Sequence, residues 1–197
     1  MKDWNNKLEI ETGIFIYLRL AHIWNEEFMK KIGLLSDTHS YIDDRILSYL
    51  DGMDEIWHAG DIGDLKVTDA LRELAPLRVV YGNIDDNEAR SEFQLHHRFM
   101  CEKVKVWMTH IGGPPYVYDY RIREPLKQDP PDLFICGHSH ICKVQMDKRL
   151  NMLYMNPGAA GRHGHHKIRT LLRFTIEEKK IGDLEVVELG NRSKIKA

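Results

Sequence analysis

Cysteine is scarce in this chain: Cys101, Cys136 and Cys142 are the three present. An odd count with no C-x-x-C spacing argues against a disulfide scaffold and fits a reducing compartment. Cys136 ends an apolar run and reads as a small core residue. Long hydrophobic runs are also missing. The most apolar early stretch, residues 13–21, is interrupted by Arg19 and followed by His22, and it falls short of the roughly 20 apolar residues a membrane span needs. It matches neither a span nor a secretion signal. Nor is there an excess of charge of one sign. With 28 basic and 30 acidic residues the formal charge is −2, which gives no global field to draw nucleic acid or an anionic membrane. Arg192 to Lys196 form a short basic tail that reads as solvated. Repeats and low-complexity tracts are absent too. What remains is 197 residues, 43% hydrophobic, enough for one domain with a real core. A cytoplasmic protein is expected, with a homo-oligomer left open.

What the chain does have is a series of short acid, amide and imidazole motifs, each just after an apolar run. They are Asp37-x-His39, Gly60-Asp61, Gly82-Asn83, His110 and Gly137-His138-Ser139-His140. The runs before them, residues 31–36, 55–59, 77–81, 104–109 and 132–136, read as strands. The motifs therefore fall at strand carboxyl ends, the edge where open α/β sheets bind ligands. One such motif arises easily by chance; five in the same strand-to-loop position point to a metal site. Mixed imidazole and carboxylate donors with one amide suit borderline first-row ions such as manganese, iron(II), zinc or nickel better than calcium.

In order and spacing, Ser36-Asp37-Thr38-His39, His58-Ala59-Gly60-Asp61, Gly82-Asn83-Ile84-Asp85, Thr109-His110, Gly137-His138-Ser139-His140 and Asn156-Pro157-Gly158 resemble the calcineurin-like metallophosphoesterase superfamily. Within it they are similar to the small YfcE-type phosphodiesterases, and the resemblance spans about residues 30–189. It implies two divalent ions, manganese foremost. One would sit on Asp37, His39, Asp61 and His140, the other on Asp61, Asn83, His110 and His138, with Asp61 bridging. It implies hydrolysis of a small phosphate ester or nucleotide, with Asp61, Asn83 and His110 in the catalytic centre. A carboxylate shared by two ions holds them roughly 3.5–4 Å apart, which suits in-line attack on phosphorus. Many relatives carry a histidine directly after the metal-binding asparagine, where it can protonate the leaving oxygen. Here that position is Ile84, as in the YfcE-like subgroup, and it carries no proton.

The expected fold class is α/β, a two-sheet β-sandwich flanked by helices. From Lys30, strand and helix alternate as in right-handed crossovers, with helices over residues 42–50 and 67–75. Residues 93–100 and 103–109 read as two antiparallel strands, and 116–128 as a helix with a capping loop. The alternating, β-branched stretches 141–146, 152–155, 167–176 and 184–189 are expected to form a second sheet packed on the first.

Several side chains carry two readings. His58 either orients a carboxylate from behind the ligands or hydrogen-bonds to backbone. Asp85 is expected to hold its loop and an imidazole in place. Arg162, His163, His165 and His166 lie in the glycine-rich loop after Asn156-Pro157-Gly158; Arg162 or an imidazole would contact substrate phosphate, or the loop is merely solvated. Tyr116, Tyr118, Tyr120, Arg121 and Arg123 line a pocket above the metals or form a helix face. His96 and His97 read as surface residues of an edge strand. Residues 1–28 read either as an extension preceding a domain that starts at Met29, the physiological start, or as an amphipathic helix from about Ile14 to Met29. Two functional classes follow: a metal-dependent phosphoesterase, or a Vps29-like protein-interaction scaffold with little catalytic activity. A scaffold is free to lose ligands, and all seven positions here can bind metal. A nuclease would want a basic groove, which the balanced charge does not supply.

Overall fold

The structure, a computed structural model, describes residues 29–193. The expectations for residues 1–28, and most of the basic tail, lie outside the described residues. Among those residues, no helix is long and apolar enough to cross a membrane.

Among the described residues, ten strands make two five-stranded mixed sheets. The first contains β1 (Met29–Leu35), β2 (Glu55–His58), β3 (Leu77–Val79), β9 (Ile168–Glu177) and β10 (Lys180–Asn191), in the order β10-β9-β1-β2-β3. β1, β2 and β3 run parallel, and β9 pairs antiparallel with β1 on the other side. The second contains β4 (His96–Cys101), β5 (Val104–Thr109), β6 (Leu133–Ile135), β7 (Cys142–Asp147) and β8 (Met152–Pro157), in the order β4-β5-β6-β8-β7. Here β5, β6 and β8 are parallel, with antiparallel strands at both edges.

The sandwich is as expected, but the allocation of strands is not. The four late stretches do not form a sheet together: β7 and β8 join β4–β6, whereas β9 and β10 join β1–β3. Alternating sequence marks a strand and its faces, while its neighbour is set by long-range pairing.

The core between the sheets packs Ile32, Leu34, Trp57 and Val80 against Val106, Met108, Ile135 and Met155. On the outer face of the first sheet lie α1 (Asp44–Leu50) and α2 (Lys66–Arg72), burying Ile46, Leu50, Val67 and Leu71 over Leu35 and Ile56. On the outer face of the second, α4 (Tyr120–Gln128) lays Ile122 and Leu126 on Trp107 and Phe134. A short α3 (Asn87–Glu92), which hydrophobic period alone did not reveal, fills the space before β4 and moves that strand's start to His96. Its sign in the sequence is Asp86, whose side chain accepts from the Ala89 amide, a typical N-cap. Asp43 caps α1 and Asp119 caps α4 in the same way, so α4 starts at Tyr120, four residues later than expected. α2 stops at Arg72, short of Ala75.

Candidate metal centre

In both sheets the parallel strands end on the same side of the sandwich, and the loops that follow them meet there. β1 delivers Asp37 and His39, β2 delivers Asp61, β3 delivers Asn83, β5 delivers His110, and β6 delivers His138 and His140. Backbone bonds lock the loops together. The Asp37 amide donates to Gly60 O (2.9 Å), His39 to Asp61 O (3.0 Å), Gly137 to His110 O (3.0 Å), and Gly161 to Asp37 O (3.1 Å).

Two clusters of donor atoms result, Asp37 with His39 and His140, and Asp61 with His110 and His138; within each, the ligating atoms lie inside 4.8 Å of one another. Asp61 faces both ways, with Oδ1 3.1 Å from His110 Nε2 and Oδ2 3.6 Å from His39 Nε2. His140 Nε2 is 3.2 Å from Asp37 Oδ1. Asn83 is exposed on the rim of the same cavity, about 510 Å³ in volume. All seven expected ligands are thus gathered at one place.

The donor set fits divalent cations. Asp37 Oδ1, His39 Nε2 and His110 Nε2 are buried yet have no aligned hydrogen-bond partner among the described residues, a costly arrangement for a protein alone. His110 Nδ1 is 2.8 Å from Ala59 O; its N–H donates there, so Nε2 keeps the lone pair a metal uses. The backbone is strained at the same positions: Asp37 (φ 55°), His39 (46°), Asp61 (54°), His138 (66°) and His140 (57°) are left-handed. Each such residue costs on the order of 1–3 kcal/mol, a strain that collects at ligand sites. Gly82 and Gly137 allow the loops to approach, since a Cβ at either would collide with Asp61 or with Ser36.

Burial raises the Asp61 carboxyl pKa, but the His110 contact, the Ile84 amide and His39 outweigh it and hold the group below its ordinary value. Burial also works against a charged His110, yet Asp61 and Asp37 prevail and its pKa is raised. His39 and His138 are lowered, chiefly by burial.

The supporting residues differ from expectation in detail. His58 is fully buried, and burial holds it down at about 4. It touches no carboxylate: Nε2 is 2.9 Å from Thr38 Oγ1 and Nδ1 accepts from the Gly60 amide at 3.2 Å. It therefore joins the loops that carry the ligands rather than a ligand itself. Asp85 accepts from the Gly63 amide (2.8 Å) and the Gly82 amide (2.7 Å) and holds no imidazole. The glycine-rich loop does reach the cavity, where His163, His165 and His166 are wall residues, but Arg162 is not; its guanidinium lies 4.5 Å over the Tyr41 ring. Tyr116, Tyr118 and Arg123 line a separate hollow with Arg149, whereas Arg121 belongs to one beside the metal centre. Ile84 stands 45% exposed on the cavity wall.

Sequence reasoning passed over Thr38 and the clamping role of Asn156. The Asn156 amide donates to Gly137 O (2.8 Å) and Ser139 Oγ (3.1 Å) while its Oδ1 accepts from Gly158 (2.9 Å). Its signal was present as the Asn-Pro-Gly motif, without the neighbour that gives it meaning.

Known proteins resemble this chain in sequence and in fold. A probable metallophosphoesterase of Methanocaldococcus jannaschii is 28% identical over 156 residues, covering 75% of this chain and 77% of that protein. Another, of Methanothermobacter thermautotrophicus, is 28% identical over 133 residues, covering 65% and 76%. Among solved structures, an archaeal phosphodiesterase superposes with a TM-score of 0.63 at 22% identity, over 80% of this chain and 99% of that one. A Vps29 single mutant from Entamoeba histolytica gives 0.65 at 17% identity, over 80% and 98%; at these identities the likeness is one of fold. Residues 29–179 match the calcineurin-like phosphoesterase superfamily domain, and the chain belongs to that family.

Proposed function

We propose that the protein is a two-metal phosphodiesterase acting on small phosphate esters or nucleotides, with manganese as its working ion. The observation that carries this reading is Asp61, whose two carboxylate oxygens each face a different histidine-bearing cluster. One ion falls to Asp37, His39, Asp61 and His140, the other to Asp61, Asn83, His110 and His138. Ions held there supply Lewis-acid polarisation of a phosphoryl oxygen and a water acidic enough to attack phosphorus near neutral pH. The chain supplies the geometry. His110 is fixed in one tautomer by Ala59 O, Asp61 Oδ1 is steadied by the Ile84 amide at 3.1 Å, and Asn83 and His138 leave the outer face open to substrate. Water adds to phosphorus, one ester oxygen departs as an alcohol, and a monoester remains.

The fold is shared with Vps29 structures, including one of Entamoeba histolytica complexed with zinc, so metal content alone does not separate an enzyme from a scaffold; turnover does. The test is hydrolysis of bis(p-nitrophenyl) phosphate with manganese, zinc, nickel or iron(II), in wild type and Asp61→Asn. Loss of one shared ligand should lower turnover more than about a hundredfold, beyond the 10- to 100-fold typical of supporting residues, with the thermal midpoint of the metal-free protein retained. Undiminished turnover in Asp61→Asn would remove the two-metal reading, and no turnover of any ester with any ion would favour the scaffold.

A further inference from the structure

Next to the metal cavity lies a second hollow of about 250 Å³, which shares Asn83 with it and has His110 on its wall. Five elements contribute to the rest of the wall, with Arg90 coming from α3 and Arg121 from α4. Tyr81 follows β3, Leu95 precedes β4, Ile111 follows β5, and Ile122 comes from α4. These walls are largely apolar, and Leu95 stands 46% exposed, an aliphatic side chain uncovered at the mouth of a polar site. The cations nearby are already engaged. Arg121 grips Asp119 with two bonds, Nε to Oδ1 at 2.7 Å and one terminal nitrogen to Oδ2 at 3.1 Å. Arg90 donates to Asp85 O (2.7 Å) and Asn83 O (3.2 Å) and lies 5.2 Å from the Tyr81 ring centre. His96 has Nδ1 within 2.9 Å of Thr109 Oγ1, which leaves Nε2 as its remaining polar atom.

A hollow with largely apolar walls, one arginine paired with Asp119 and the other held by two backbone carbonyls, favours an apolar group over a second phosphate or a carboxylate. It suits a flat hydrophobic group with a few polar atoms on its edge. Because Asn83 lines both spaces, this hollow adjoins the place where a phosphate on the two clusters would sit. We infer that the Tyr81–Leu95–Ile111–Ile122 hollow holds one ester substituent of the substrate and selects a ring-bearing one, an aryl group or nucleobase, over a short alkyl chain. The inference rests on the phosphodiesterase reading above.

The test uses the metal-loaded full-length chain. Thymidine 5′-monophosphate and methyl phosphate are compared as competitive inhibitors of bis(p-nitrophenyl) phosphate hydrolysis, and their binding is measured directly by calorimetry. Wild type should bind the nucleotide at least about tenfold more tightly than methyl phosphate, the gain expected from burying part of a ring. Leu95→Ala and Tyr81→Ala should each cut that ratio about five- to tenfold, at unchanged metal content; because Leu95 is half exposed, its truncation is not expected to disturb the fold. Equal affinity for the two phosphates, or a ratio unmoved in both variants while wild type turns over the diester, would overturn the inference and leave the enzyme reading standing. Absence of diester hydrolysis would instead strike the reading beneath it, and calorimetry would still report whether the nucleotide is preferred.

Discussion

An imidazole offers a metal only the nitrogen it does not protonate, so the hydrogen bonds behind a histidine matter as much as the ring. His110 is committed by Ala59 O, and its unpaired Nε2 points at Asp61. His58 is the opposite case, a neutral ring sealed between Thr38 and Gly60. With its pKa near 4 in the fold against an ordinary 6.5, the unfolded chain takes up this proton first as pH falls. The contribution of His58 to stability is therefore full above about pH 6.5 and is lost progressively down to about pH 4, on the order of 3 kcal/mol in all. In chelator-treated protein, His58→Gln should remove that part of the pH dependence of unfolding by urea, and an unchanged slope between pH 6.5 and 4 would count against a neutral buried ring. Ile84 makes a different prediction. A positioned acid typically contributes about 10²- to 10⁴-fold when the departing oxygen is strongly basic, and isoleucine on the cavity wall has no proton to give. Wild type should hydrolyse p-nitrophenyl diesters well and alkyl diesters poorly, with a steep fall of log rate against leaving-group pKa. Ile84→His should flatten that line at constant metal content; a wild-type line already flat would mean that another group serves as acid.

At the scale of elements, the ligand loops are legible in the sequence because each follows directly on an apolar strand, and strand ends in a parallel sheet share one edge. Asp37-x-His39 and Gly137-His138-Ser139-His140 needed no tertiary information to be placed. The clamp between loops did need it. Asn156 acts on Gly137 and Ser139 because β8 lies beside β6, in register from Leu133↔Leu153 to Ile135↔Met155. The alternation of residues 152–155 shows a strand but not its neighbour, so the motif read only as a loop near the site. Likewise Arg162 resembles a phosphate ligand by type and position, yet Tyr41 offers its guanidinium a ring face first, and no local pattern reveals that competition. The clamp predicts a coupled loss. Asn156→Asp removes both donated bonds and sets a carboxylate against Gly137 O, costing about 1–3 kcal/mol of stability. It should also lower affinity for the ions held by His138 and His140 about 10- to 100-fold, as other supporting residues of metal sites do. Thermal unfolding of the metal-free protein and calorimetric titration with manganese read the two effects separately. Unchanged metal affinity would make Asn156 a purely structural residue.

For the molecule as a whole, the question is where the folding unit begins. β1 is not an edge strand. It lies between β9 and β2, and its pairing with β9 runs from Met29↔Glu177 through Leu34↔Leu172. Its partnership with β2 occupies Ile32 to Leu35. Every proposed ligand lies beyond Met29, and among the described residues, 29–193, β1 is a central strand of its sheet and contributes Ile32, Leu34 and Leu35 to the buried cores. Polar atoms of the first strand are already met within this set: Lys31 donates its amide to Asp54 at 2.7 Å, and Asp54 donates its own to Lys31 O at 2.8 Å. We propose that the folding unit starts at Met29: a chain of residues 29–197 should then fold with a thermal midpoint within a few degrees of the full chain, since about 1 kcal/mol corresponds to roughly 2–4 °C at this size. It should also bind manganese with the same stoichiometry and hydrolyse bis(p-nitrophenyl) phosphate at a similar rate. Thermal unfolding, metal analysis and turnover of the two proteins side by side decide the matter. A shortened chain that aggregates, or melts many degrees lower with its metal lost, would show that residues 1–28 complete the core, and the unit proposed to start at Met29 would have to be extended to include them.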